Sequence, residues 1–174
     1  MMQTNKTYFE AFKYKAWANV EILAYGERQL HLLSEADRSF LLRILNHTAV
    51  VDSLFISRIS GTADLYAADN TIETPSLSEL RERMAKNDSW LIGFVQAVTA
   101  NELGRCISFC FTDGDQGQLS VEEILLHLLT HGSNHRGMAA RVLGAQGLER
   151  PKDTFTRFLH QTEPWRREST ETLQ

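Results

Sequence analysis

The chain has 174 residues, of which 43% are hydrophobic and 23% charged, a balance that excludes a disordered chain and fits one domain with a sizeable core. Lysine plus arginine number 18 against 22 aspartate plus glutamate, a formal net charge of −4, and the absence of a basic face excludes a nucleic-acid binder. Residues 1–15 are polar and aromatic with no secretory apolar core, no run reaches the roughly 18 apolar residues of a spanning helix, and Cys106 and Cys110 make no disulfide framework; a cytoplasmic chain without membrane contact is expected.

Proline occurs only at Pro75, Pro151 and Pro164, which leaves long stretches free for helices. A first helix is predicted over residues 6–32, with Phe9, Phe12, Ala16, Val20 and Leu23 recurring at helical spacing. Ser34, with Asp37 three residues on, reads as the N-cap of a second helix that runs to about Ser60 and stops at Gly61. A polar loop follows to Ser76. Ser78 is expected to cap a third helix carrying Leu80, Met84, Leu91, Phe94, Val95 and Val98.

The period then changes. Ile107, Phe109 and Phe111 alternate with Cys106, Ser108 and Cys110, a strand pattern, and Asp113-Gly114 with Gly117 signals a turn. A short hairpin therefore joins the third and fourth long helices. Ser120 with Glu123 forms a capping-box pattern at the head of the fourth, which runs to about Leu143. Pro151 precedes a short helical segment at residues 153–159, and the tail from Thr162 is polar apart from Trp165 and expected to be partly mobile. The fold class is all-α: a four-helix bundle in one domain, with a hairpin between helices three and four and a short C-terminal helix.

Histidine placement carries the chemistry. His127, His131 and His135 follow one another at i, i+4 on the fourth helix, a spacing that puts neighbouring imidazoles on one face. At about 100° per residue, Ile124, Leu128, His131, His135, Ala139 and Val142 share one stripe, so His131 and His135 interrupt the inward apolar face. His127 falls at its edge, in a supporting or surface position. On the second helix His47 is the polar member of the face formed by Ile44, Val51, Leu54 and Phe55. Three inward imidazoles from facing helices suit one divalent transition metal, and three protein nitrogens leave positions open for water or substrate, as in catalytic sites. Softness allows nickel, zinc, copper or iron. The opposing explanation is that buried histidines merely donate to carbonyls.

Tyr14-x-x-Trp17-Ala18-Asn19, Leu45-Asn46-His47 with Asp52, His127-x-x-x-His131-x-x-x-His135-Arg136-Gly137, and Asp153 after Pro151 together resemble the DinB/YfiT-like family from Tyr14 to about Phe158. The resemblance implies a four-helix bundle, usually a homodimer, with nickel or zinc held by His47, His131 and His135. It also implies, for some members, a transferase or isomerase using a low-molecular-weight thiol. The family typically reads His-Arg-Gly-Gln, and Met138 stands here in place of the glutamine.

Asp52, roughly 140° round the helix from His47, is expected as a surface or interhelical partner, with support of a histidine ligand as its alternative role. Tyr14 and Trp17 are candidates to line a pocket, or to serve as core or dimer contacts. Asp113-Gly114-Asp115 fails as a calcium loop, because Gly117 and Ile124 occupy positions that need oxygen ligands. No phosphate loop, nucleophile elbow or His-Glu-x-x-His is present. The leading expectation is a metal-dependent enzyme activating a thiol or water for a small-molecule substrate; the alternative is a non-catalytic, stress-response homodimer whose metal is structural.

Overall fold

A computed structural model describes residues 6–167. Four long helices make the body: α1 (Lys6–Gln29), α2 (Glu35–Ser60), α3 (Leu77–Ala97) and α5 (Val121–Ala145). A single-turn α4 (Ala100–Leu103), capped by Thr99, and a hairpin of β1 (Cys106–Cys110) and β2 (Gln116–Ser120) connect α3 to α5. The chain closes with α6 (Phe155–Thr162) and a 3-10 turn at Pro164–Arg166; the remainder of the tail that was expected to be mobile lies outside the described residues. The all-α bundle with its inserted hairpin is as the sequence pattern requires, and α4 is an addition to it.

The helix ends follow from local chemistry. The Ser34 hydroxyl accepts from the Asp37 N–H, and α2 stops at Gly61. Ser120 and Glu123 close the expected capping box on α5. The cap of α3 is Ser76 rather than Ser78, because Glu79 lies three residues beyond Ser76 and returns to its N–H. Gly117 likewise lies in β2 and not in the turn. It pairs with Phe109, and a Cβ there would sit 2.5 Å from the Phe111 ring. Ile107 and Phe109 point into the core while Cys106, Ser108 and Cys110 face out.

Round the bundle α1 packs on α3, α3 on α2, α2 on α5 and α5 on α1, so α1 and α2, consecutive in the chain, occupy opposite corners. One apolar cluster gathers around Phe12, Phe55, Leu91 and Ile124, and a second around Ile22, Leu45, Met84 and Leu143. α2 has the length and mean hydropathy to cross a membrane, but it is the central core helix, and its Thr48, Asp52, Ser53 and Ser57 are buried inside the bundle.

Between the two apolar clusters lies a buried charged layer that hydrophobic periodicity does not reveal. Lys15 is 1% exposed, and its ammonium donates to Asp52 at 2.5 Å and to Asp88 at 3.1 Å. Asn19 donates to the second Asp88 oxygen, Arg136 donates to Asn19 and to Asp153, and the Tyr14 hydroxyl donates to Asp153. The inward stripe of α1 thus runs through Phe12, Lys15, Asn19, Ile22 and Gly26. Val20, placed on the apolar face from sequence, is 55% exposed; two of the true core positions are polar, so an apolar count mistook the direction of the stripe. Gly132 makes room for this layer: a Cβ there would stand 3.2 Å from the Arg136 guanidinium and 3.3 Å from the Lys15 stem.

Burial, and then the neighbouring Asp88, pushes the Asp52 carboxyl up to about 6 against the pull of Lys15. Two carboxylates share one ammonium, so the cation is the member that cannot be removed. Lys15→Met should destabilise the protein by about 3–5 kcal/mol, and Asp52→Asn, which leaves the Lys15–Asp88 pair, by clearly less. Denaturant titration of both variants checks this. The Lys15→Met deficit should shrink on acidification, because the orphaned Asp52 carboxyl, raised by burial, can take up a proton in the fold; a deficit that grows instead would contradict the assignment.

Candidate metal centre

α2 supplies His47, and α5 supplies His131 and His135 one turn apart. All three are half-buried. Their Nε2 atoms converge: His47 lies 3.1 Å and His135 3.0 Å from His131, and one nitrogen from each ring falls within 4.8 Å of the others. The α2–α5 packing and the i, i+4 spacing together bring the group to one point.

The outer nitrogen of His47 is anchored. Its Nδ1 lies 2.8 Å from the Asp69 carbonyl and 3.7 Å from the Asp69 carboxylate. Donation of Nδ1–H to that carbonyl leaves Nε2 as a lone pair directed at the other rings. The loop carrying Asp69 is pinned in turn by Asn46, the residue before His47: its amide contacts Asn70 and Thr71, and the Asn70 amide donates to the Arg43 carbonyl. This gives the Asn46-His47 pair a physical reason, since one residue is the candidate ligand and the other holds the loop that orients it.

Burial first, and then the neighbouring imidazoles, pulls His131 from 6.5 down to about 3, and burial followed by His47 lowers His135. These rings are neutral at pH 7. A neutral His131 offers its Nε2 either as one N–H or as one lone pair, which can serve only one of its two contacts near 3 Å, so the other is left without a hydrogen bond. A cation removes that conflict. With metal–nitrogen distances of about 2.1 Å, ligand atoms lie roughly 3.0 Å apart at right angles and about 3.4 Å apart in a tetrahedron. The observed contacts fall at the close end of that range. The Nδ1 atoms of His131 and His135 are buried without hydrogen-bond partners, so only His47 has its outer nitrogen held.

The other candidates fall elsewhere. His127 is exposed, stacks on His131 at 5.1 Å and lies tilted against Phe55 at 5.3 Å, without joining the Nε2 group. Asp52 is not at the surface: it is 0% exposed and serves as the interhelical partner of Lys15, bonding to no histidine among the described residues. Tyr14 and Trp17 stack on one another and pack against Phe158 of α6, with Trp17 donating to Gln161. Burial and Asp153 raise the Tyr14 phenol to about 12, so it stays a donor. Met138 is 37% exposed and lines a groove with Asp37, Phe40 and Arg141 that includes none of the three histidines. The glutamine-to-methionine departure therefore falls outside the candidate ligand set.

Asp69 and the Lys15 layer escaped the sequence reading. Lys15 and Asn19 lie at i, i+4 among apolar residues, which is the signal that could have found them. No curated protein and no solved structure matches the chain. The DinB family model matches residues 1–169 of the 174, nearly the whole length and including every histidine described above, and the chain therefore belongs to the DinB family.

Proposed function

We propose that the protein binds one divalent transition metal, nickel or zinc, through the Nε2 atoms of His47, His131 and His135, and works in the cytoplasm as a metal-dependent enzyme acting on a thiol or water for a small-molecule substrate. The observation that carries this is the convergence of three Nε2 atoms that cannot all be satisfied by hydrogen bonds to one another. When bound, such a cation supplies Lewis acidity that lowers the pKa of a coordinated thiol or water. The protein's own contribution is to keep the lone pairs free and aimed. Burial holds His131 and His135 neutral, and the Asp69 carbonyl fixes the His47 tautomer.

The half-exposure of all three rings favours a reactant-accessible centre over a sealed structural one. His127, stacked at the outer edge, is placed to exchange protons with solvent. The free, exposed Cys106 and Cys110 suit a reducing compartment. A homodimer is part of the proposal, supported by the adjoining exposed Phe40 and Met138; sedimentation should give twice the chain mass.

Elemental analysis of tag-free protein should find about one metal per chain, lost in His47→Ala, His131→Ala and His135→Ala; full occupancy retained in all three variants would refute the site. Asn46→Ala should keep the fold and weaken metal binding by about 10–100-fold, because it frees the loop that orients His47, and a competition titration with a chelator reads the change. The metal-free protein should lose stability as pH falls below 6.5 towards 3: His131 stays neutral in the fold down to about 3, whereas the unfolded chain takes up a proton near 6.5. Thermal melts across that window check the sign, and His131→Ala should flatten the slope.

A further inference from the structure

The polar segment after α5 and the short α6 border an open concavity of about 900 Å³, within the range of small-molecule sites. Its lining includes Arg150, Lys152, Arg157, Arg167, His160 and Thr156. Four permanent cations thus converge in a chain whose net charge is −4. None of the four makes an ion pair among the described residues. Two of the nearby carboxylates are engaged elsewhere: Asp153 with Arg136 and Tyr14, and Glu163 with Arg166.

A solvated basic face would account for scattered exposed lysines. It does not account for Arg157, which is only partly exposed and whose Nε is buried with no hydrogen-bond partner. A buried unsatisfied donor is costly, and so is packing like charges without a counter-charge. One oxyanion supplies that counter-charge. Guanidinium groups present forked donors that match the oxygens of a phosphate. The Thr154 hydroxyl already accepts from the Arg157 N–H, so recognition falls to the side chains and not to the end of α6.

We propose that this concavity binds a small phosphorylated molecule, with the partly buried Arg157 as its anchor and Arg150, Lys152 and Arg167 neutralising its charge. The site is distinct from the histidine centre and does not depend on the metal reading.

The probe is inorganic pyrophosphate, titrated calorimetrically into the full chain at low ionic strength. Wild-type protein should give saturable binding, weakened about tenfold by Arg157→Gln and again by Lys152→Gln. Lys152 is exposed, so its variant keeps the test valid if the partly buried Arg157 proves necessary for folding. Arg38→Gln, which removes an exposed cation on α2, should change nothing, and neither should His135→Ala. Absence of binding, equal weakening by Arg38→Gln, or loss of binding in His135→Ala would each overturn the proposal; the last would show that pyrophosphate is captured at the histidine centre.

Discussion

A single buried ammonium, Lys15, organises this bundle. It joins α1 to Asp52 on α2 and to Asp88 on α3, and Asn19 with Arg136 extends the layer to α5 and, through Asp153, to the segment leading into α6. Apolar packing alone is non-directional and permits a helix to slide or rotate at small cost. A charged layer is not permissive, because a turn of any participating helix leaves a buried charge without its partner. The layer therefore fixes the rotation of α2 and α5 about their axes. Since His47 stands five residues before Asp52 on one helix and His135 immediately before Arg136 on the other, the same constraint fixes where the imidazoles meet.

The histidine centre and the charged layer are built on opposite electrostatic principles. In the layer, opposite charges pair directly and the site is closed, with one Asp52 oxygen left without a hydrogen bond among the described residues. In the centre, three groups of the same kind, all acceptors once their outer nitrogens carry the protons, face a common point. Low local polarity makes protonation of His131 unfavourable, so the usual escape of clustered bases, taking up a proton, is closed to it near neutral pH. Such an arrangement is one that a cation could satisfy.

Much of this was legible in the sequence, for identifiable reasons. The i, i+4 histidines interrupt an otherwise apolar stripe on α5, and the hairpin shows in a change of period from 3.6 to 2 at Cys106–Cys110. Caps made by Ser34 and Ser120 follow from residues three positions apart. What did not show was burial of the charged residues. Periodicity places Val20 inward, passes over Lys15 and leaves Asp52 open between a surface and an interhelical position, whereas the pairing of Lys15 with two carboxylates puts both charged residues inside. Asp69 acts through its backbone carbonyl, which every residue possesses, so no side-chain pattern could identify it. Tyr14 and Trp17 were visible as aromatics at helical spacing, yet only the position of α6 decides that they pack beneath it.

The loop between α2 and α3 contributes no candidate ligand, yet its backbone reaches the centre through Asp69 and is tied down by Asn46. If the proposed metal binds there, grip on it and identity of the ligands are thereby separable properties. Changes of loop length or sequence between Thr62 and Ser76 alter how rigidly one imidazole is held while leaving all three in place. Such a loop gives evolution, or an engineer, a means of setting how long a metal would reside there without rebuilding the helices that define the candidate site.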